Sequence, residues 1–193
     1  MKKVEIFNSL AVGWSKYTKR PWYLLGIGLV FVAFFILTSS ESAMITAMAY
    51  VLYAGYLSLM FKHYHGGHVV FDDIFSVDQR WINFGFLALI KSLLIFLGLL
   101  CFIVPGIYLA IRWTFAEFYV IDKNMRPIEA LRASSALTEG CRWKLFLFSL
   151  LAISIVTLST LAFLVGAVAA SVVILMSLIH IYYSLQNPEP DDA

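Results

Sequence analysis

The sequence predicts an all-α integral membrane protein: six transmembrane helices arranged as three hairpins, plus three interfacial amphipathic helices, in one domain spanning residues 1–193. Of its 193 residues, 61% are hydrophobic and 13% are charged, whereas a soluble domain is about 25% charged. The 41 residues from 81 to 121 carry three charges, and residues 145–185 carry none. Since about 20 helical residues cross a bilayer, each stretch is long enough for two crossings.

The first unit begins with a predicted interfacial helix over residues 3–18. Its apolar positions recur at three- and four-residue steps, the spacing of one helix face: Val4, Phe7, Leu10, Ala11 and Trp14. Residues 21–38 and 43–61 then form two crossings, joined by a polar turn. The first clean apolar run begins only at Trp22, which is too late for a secretory signal. We therefore expect the first crossing to be retained in the mature protein.

The second unit contains the central hairpin over residues 81–121. Before it, residues 62–80 predict a loop and then a second interfacial helix from about Asp72. Within the hairpin, Pro105-Gly106 combines a helix stop with a permissive backbone. We therefore expect the hairpin to turn at Pro105-Gly106.

The third unit opens with another predicted interfacial helix, which has Pro127 in its first turn and Gly140 as its stop. The apolar side of this helix consists of Ile128, Leu131 and Leu137. Residues 145–185 supply two further crossings, broken near Val165-Gly166. Residues 186–193 contain two prolines and three acids, which predict a flexible tail.

The basic residues predict the orientation of the chain in the membrane. With the N-terminus in the cytoplasm, twelve of the 14 Lys and Arg residues fall on the inner side and none in the outer turns. Positive charge concentrates in cytoplasmic segments. We therefore expect both termini to be cytoplasmic.

The openings of the odd-numbered crossings resemble one another and suggest a pseudo-threefold repeat, with units of about 3–61, 70–121 and 127–185. The tryptophans that open them are 59 and 62 residues apart. Each follows a basic residue or Arg-Pro, giving six predicted interfacial anchors: Arg20, Trp22, Arg80, Trp81, Arg142 and Trp143. The alternative is convergence, because Arg and Trp both favour the membrane interface.

Three charges inside predicted crossings are the first candidate functional residues. A charge at mid-bilayer costs about 3 kcal/mol or more and marks a partner or a pathway. Counted from the expected turn, Lys91 and Glu117 lie at similar depth and can pair across the hairpin. Arg112 lies nearer the outer side and needs another partner or water. The alternative is that Lys91 extends to the interface and Glu117 lies at the headgroups.

Histidines are the second set of candidates. His63, His65 and His68 fall within six residues, a spacing able to hold a transition metal. A flexible surface turn is the favoured interpretation, and no metal or other cofactor is predicted. His180 lies near the inner end of the last crossing, where we expect a packed histidine, or one that extends to the interface, rather than a proton relay.

Four runs resemble a bacterial family of six-span membrane proteins of unknown function. These are HVVFDDIF at 68–75, IVPGIYLAIRW at 103–113, IDKNMRPIEALRASSALTEGCRWKLF at 121–146 and IYYSL at 181–185. That family is related to the membrane domain of some glycerophosphodiester phosphodiesterases. The resemblance implies the six-span fold and a location in the bacterial inner membrane, and it supplies no active site. The phosphodiesterase domain itself is not in this sequence.

These patterns predict a non-enzymatic membrane component that engages lipids, a partner protein or a second copy of the chain at the cytoplasmic interface. No catalytic motif stands out, and a net charge of +2 gives no reason to expect nucleic acid. The alternative is a small transporter or channel that uses Lys91, Arg112 and Glu117. A metal-dependent enzyme using the three clustered histidines is a third possibility.

Overall fold

The computed structural model describes residues 6–19, 21–37, 43–67, 80–162 and 164–186, and within these ranges every regular element is a helix. The helices are α1 (Ile6–Thr18), α2 (Pro21–Leu37), α3 (Ala43–Tyr64), α4 (Arg80–Cys101), α5 (Ile103–Arg112), α6 (Ala116–Lys123), α7 (Pro127–Leu137), α8 (Arg142–Ala162) and α9 (Leu164–Gln186). The predicted all-α class is confirmed. Arg20, His68, the predicted helix from about Asp72 and the tail after Gln186 lie outside the described residues.

Within the described residues, three helices are long and apolar enough to cross a membrane. The segments are Ile82–Leu100 in α4, Arg142–Thr160 in α8 and Gly166–Gln186 in α9. Helices α2 and α3 occupy the predicted first pair of crossings within about three residues of the expected bounds. The count of six crossings and the threefold repeat remain predictions.

The central hairpin turns three residues before the predicted position. Phe102 is extended, with φ −164° and ψ 149°, and separates α4 from α5. Pro105 instead lies in the first turn of α5, where its missing N–H has no intrahelical partner to lose. The prediction of a turn at Pro105-Gly106 is wrong because a proline near a helix start does not stop the helix.

Gly106 has a packing role in this hairpin rather than a turning one. A Cβ on Gly106 would lie 2.5 Å from Cγ of Leu99, and a Cβ on Gly98 would lie 3.1 Å from the Cα of Gly106. The two glycines therefore allow the backbones of α4 and α5 to approach closely, as small residues do in membrane helix pairs.

The returning half of this hairpin is not one continuous helix, as a simple crossing requires. Helix α5 has 10 residues and ends at Arg112, and α6 begins at Ala116. Ten residues rise only about 15 Å, half of a hydrocarbon core. The break between α5 and α6 creates the candidate site described below.

Helix α9 is the most enclosed of the three candidate spans. Half of its span, 50%, is buried, against 17% for α4 and 11% for α8. It packs against α1, α2, α3 and α8. The ring of Tyr182, near the C-terminal end of α9, is fully buried and contacts rings of α3, of α6 and of the residue before α6: Phe61, Phe118, Tyr119 and Phe115.

Helix α1 forms as predicted, but the side that it buries is not its apolar side. Phe7 is 83% exposed and Trp14 is 58% exposed. The buried residues are Ser9, Gly13 and Tyr17, which face one direction at four-residue steps. This stripe packs along α9, and a Cβ on Gly13 would meet Oγ of Ser177. The structure therefore attaches α1 to the bundle, and its interfacial position remains a prediction.

The predicted bounds of α7 are confirmed. Pro127 is its first residue, and Gly140 follows it with a φ of +83° that glycine adopts easily. Leu131 and Leu137 are buried as expected, whereas Ile128 is 59% exposed. The apolar side of α7 is therefore only partly covered by the rest of the protein.

The close approach of α1 to α9 gives the first prediction. We expect Gly13→Ala to lower stability by about 1–3 kcal/mol, because the new methyl group would lie 2.7 Å from the carbonyl oxygen of Val173. Unfolding of the protein in detergent, followed by circular dichroism, measures the change.

Gly26→Ala is the matched control, because a Cβ there meets no atom within 4 Å. It should leave stability unchanged or raise it by about 0.5–1 kcal/mol, the usual gain for alanine over glycine in a helix. Equal stability losses in the two variants would contradict the packing of α1 on α9.

Candidate functional site: an ion pair and an arginine cavity

Lys91 on α4 and Glu117 on α6 form an ion pair, as the sequence predicts. Nζ of Lys91 lies 2.9 Å from Oε1 of Glu117, and the two side chains are 17% and 18% exposed. The hydroxyl of Tyr53 on α3 donates to the other carboxylate oxygen at 3.3 Å. Pairing offsets much of the cost of taking each charge out of water. The alternative, in which Lys91 and Glu117 extend separately to the interface, is not what the structure shows.

A cavity of about 350 Å³ adjoins this ion pair. Both charged residues line it, together with Tyr50, Ser92 and apolar side chains that include Phe96 and Leu99. Lys91 and Glu117 therefore share one cavity, which is the geometry that a polar pathway would need.

Arg112 belongs to a different site. Its Nε donates to Oγ of Ser135 on α7 at 2.8 Å, and within the described part of the chain it has no carboxylate at ion-pair distance. The three intramembrane charges predicted as one set are thus divided between two sites. The partner that Arg112 needed is a hydroxyl group, which charge counting along the sequence does not reveal.

The break between α5 and α6 is closed by side-chain hydroxyls of α7. Oγ of Ser134 donates to the carbonyl of Arg112 at 3.0 Å and accepts the backbone N–H of Phe115 at 3.2 Å. Oγ1 of Thr138 lies 3.3 Å from the same carbonyl. Ser134 and Thr138 are fully buried. The hydroxyls replace the intrahelical hydrogen bonds lost at the break, which apolar surroundings would not supply.

Arg142, one of the predicted interfacial anchors, turns toward α5 and α7. Its Nη1 donates to the hydroxyl of Tyr108 on α5 at 2.6 Å, and its guanidinium carbon lies 5.2 Å from the centre of that ring. Its Nη2 lies 3.5 Å from the carbonyl oxygen of Ser135. Its Nε is buried without a hydrogen-bond partner in the part of the chain described.

Arg142 lines a second cavity of about 430 Å³, with Arg112 and Arg132 beside it. Ser135 and Glu139 also face this cavity, and Trp113, Ile128 and Leu131 form its apolar wall. We call it the arginine cavity. The sequence did not single out this cavity. The available signal was that Arg132 lies on α7 and Arg142 follows the turn after α7, so both basic residues could flank one helix.

Two of the other predicted anchors are tryptophans with exposed side chains. Trp22 is 85% exposed and Trp143 is 71% exposed, so both rings are free to contact a headgroup region. Each is the second residue of its helix, as Trp81 is in α4. The side chains of Arg80 and Trp81 lie outside the described residues, as does all of Arg20.

His180 is a packed histidine, as expected. A hydrogen bond of 2.9 Å joins its Nδ1 to the hydroxyl of Tyr64. Nζ of Lys16 donates to the carbonyl of Tyr64 at 2.7 Å and lies 4.4 Å from the ring centre. Partial burial lowers the pKa of the Lys16 ammonium, and the nearby charge of Lys19 adds to the shift.

The clustered histidines do not converge on a common centre where the chain is described. Nε2 of His63 lies 3.4 Å from the carbonyl of Lys16, and Nδ1 of His65 lies 2.9 Å from the carbonyl of Phe61. His68 is outside the described residues. Those residues contain no group of three His, Cys, Asp or Glu side chains placed to hold a metal ion.

Asp122 is a further polar residue that the sequence did not single out. Its carboxylate accepts the hydroxyl of Tyr183 at 2.8 Å and that of Tyr182 at 3.2 Å. An acidic residue at the end of one predicted crossing and two adjacent tyrosines near the end of another were the available signal. This contact ties the end of α6 to the end of α9.

Fold and sites together define an all-helical protein with three helices suited to a membrane, an enclosed ion pair and an arginine-lined cavity. No family model, curated protein or solved structure matches the chain. The resemblance to six-span bacterial membrane proteins therefore remains a prediction.

The helix break gives the second prediction. We expect Ser134→Ala to destabilise the protein by about 1–3 kcal/mol. The substitution leaves the buried N–H of Phe115 without its acceptor and removes one hydrogen bond to the carbonyl of Arg112. Detergent unfolding curves measure the change.

Ser154→Ala is the control, since the Ser154 hydroxyl is exposed and bonds only to its own helix at Leu150. Its effect should stay within about 0.5 kcal/mol. A Ser134→Ala variant as stable as Ser154→Ala would show that the hydroxyl does not support the break.

Proposed function

We propose that this chain is a non-enzymatic protein of the bacterial inner membrane that binds lipids at the cytoplasmic interface. The observation that carries the proposal is the outward direction of its apolar side chains. Large apolar residues that are exposed occur along α4, along α8 and in the hairpin turn between α4 and α5. Their exposed fractions range from 37% to 76%. Water opposes the exposure of such continuous apolar surface, whereas lipid tails accept it.

Aromatic and basic residues near the helix starts support contact with headgroups. Trp22 and Trp143 are exposed at the starts of α2 and α8. Tryptophan is enriched at the membrane interface, and cytoplasmic lysines and arginines attract acidic lipids. The proposal includes cytoplasmic termini, because twelve basic residues fall on that side and none in the outer turns.

Six crossings in a pseudo-threefold arrangement are part of the same proposal. The second residue of α2, α4 and α8 is a tryptophan in each case, which supports a repeated opening. The returning segments of the three hairpins differ, because α3 and α9 are continuous helices and the α5–α6 segment is broken. A protein partner or a second copy of the chain on the exposed apolar faces is compatible with lipid binding elsewhere.

Transport of an ion or small polar solute is the second candidate. The observation in its favour is that Lys91 and Glu117 line one cavity of about 350 Å³. Their mutual pairing and the position of Arg112 in another cavity reduce the charge available along a single route.

Lipid retention tests the first proposal. We expect native mass spectrometry of the protein, released from mild detergent, to show bound phospholipid, because the exposed apolar faces and interfacial tryptophans would hold it. A soluble protein purified in the same detergent controls for adventitious adducts. Recovery of a bare particle, without lipid or partner protein, would contradict the proposal.

Flux through reconstituted vesicles tests the second candidate. If Lys91 and Glu117 line a route, Lys91→Ala and Glu117→Ala should each reduce flux of ions or small solutes by about tenfold or more, because each leaves an unpaired charge beside the cavity. Lys123→Ala, which removes an exposed lysine bonded to Gln186, is the control. Unchanged flux in both cavity variants would exclude this route.

A further inference from the structure

The arginine cavity carries more positive charge than the protein itself neutralises. Three arginines and one glutamate line it, which gives a formal charge of +2. Parts of three helices surround the cavity: the last turn of α5, one face of α7 and the first residue of α8. Among the described residues, Arg112 and Arg142 bond to hydroxyl and carbonyl oxygens rather than to carboxylates. An anion is therefore the complementary ligand.

The guanidinium groups of Arg112 and Arg142 also have unfilled hydrogen-bond capacity. Nε of Arg142 is buried, and no acceptor within the described ranges satisfies it. Leaving a buried donor unpaired is unfavourable, and the cost is larger for a charged group. Arg112 uses its Nε on Ser135, and its two terminal nitrogens have no hydrogen-bond partner among the described residues.

The donor set points to a phosphate group. Planar guanidinium groups bind the oxygens of phosphate and carboxylate through paired N–H donors, and Arg is favoured over Lys where such recognition is needed. A cavity of about 430 Å³ lies within the usual range for small-molecule sites. It is large enough for a phosphodiester with its glycerol substituents.

The walls of the cavity favour an amphipathic ligand. Trp113 and Leu131 are buried along it, and Ile128 is 59% exposed at its side. A ligand with a phosphate and an adjoining hydrocarbon chain would place the first against the arginines and the second along these apolar residues. The single acidic lining residue, Glu139, is exposed and does not cancel the positive charge.

We propose that the arginine cavity binds a phosphate-bearing anion through Arg112, Arg132 and Arg142. Within the lipid-binding function proposed above, on which this assignment rests, the source is the headgroup of an acidic phospholipid. A free phosphate offers the same oxygens without the hydrocarbon chain, and the experiment distinguishes the two sources.

The experiment titrates the full-length protein in a neutral detergent with phosphatidylglycerol, phosphatidylcholine or inorganic phosphate and counts adducts by native mass spectrometry. Arg132→Gln is the test variant, because the Arg132 side chain is exposed and its loss should not impair folding. Arg126→Gln is the matched control: Arg126 is also exposed, loses the same charge, and does not line the cavity. Circular dichroism checks that both variants fold.

We expect phosphatidylglycerol to bind more tightly than phosphatidylcholine, and Arg132→Gln to weaken it by about tenfold or more, the effect of losing one charge-assisted contact. Arg126→Gln should change the affinity by less than about twofold. Inorganic phosphate that binds the wild type and is lost from Arg132→Gln, without preference for the acidic lipid, would support the site with free phosphate as its source.

Equal binding by Arg132→Gln and Arg126→Gln would overturn the assignment. If both variants retain lipid adducts equally, the assignment of the arginine cavity is overturned, but the general lipid-binding function is still supported. Absence of lipid adducts from every protein, with phosphate still bound only when Arg132 is present, would reject that function and keep the anion site.

Discussion

The arrangement of polar groups in this protein depends on the side-chain hydrogen bonds that replace backbone bonds at the break between α5 and α6. Between Arg112 and Ala116 the chain loses intrahelical hydrogen bonds, and the hydroxyl of Ser134 connects the free carbonyl to the free N–H. Apolar surroundings offer no water for this purpose, so the break requires α7 beside it. The break also lets Arg112 face α7 while Glu117 faces α4. Arg112 and Glu117 thus lie on opposite sides of the break, one in each candidate site.

The packing follows a pattern suited to lipid rather than to water. Small and polar residues of α1, such as Ser9 and Gly13, are buried against α9, whereas Phe7 and Trp14 point outward. Hydrophobic burial does little to associate helices when the surroundings are themselves apolar. Close backbone approach, aromatic contacts around Tyr182 and buried hydroxyl bonds take over that role. The apolar positions that predicted an interfacial helix therefore mark the outer side of α1.

Helix bounds and the ion pair could be predicted from the sequence because local signals determine them. Pro127 begins α7, and charges that lie at similar depth on two adjacent helices meet. The position of the hairpin turn could not, because proline is tolerated in the first turn of a helix and a stop signal there is ambiguous. The inward turn of Arg142 escaped prediction for a related reason: Arg beside Trp is typical of an interface whether or not a cavity lies behind it. The hydroxyls of α7 gave no signal in hydropathy, since their partners are backbone groups of another helix.

The ion pair has an electrical consequence. Lys91 and Glu117 have opposite unit charges 2.9 Å apart, so displacement of the two together transfers no net charge. A voltage across the membrane does about 2.3 kcal/mol of work per 100 mV on one elementary charge that crosses it, but none on a neutral pair moving as a unit. Net charge would cross the field only if α4 and α6 separated and the two side chains moved apart. In a membrane, translation of the closed pair would therefore do no net work against the voltage.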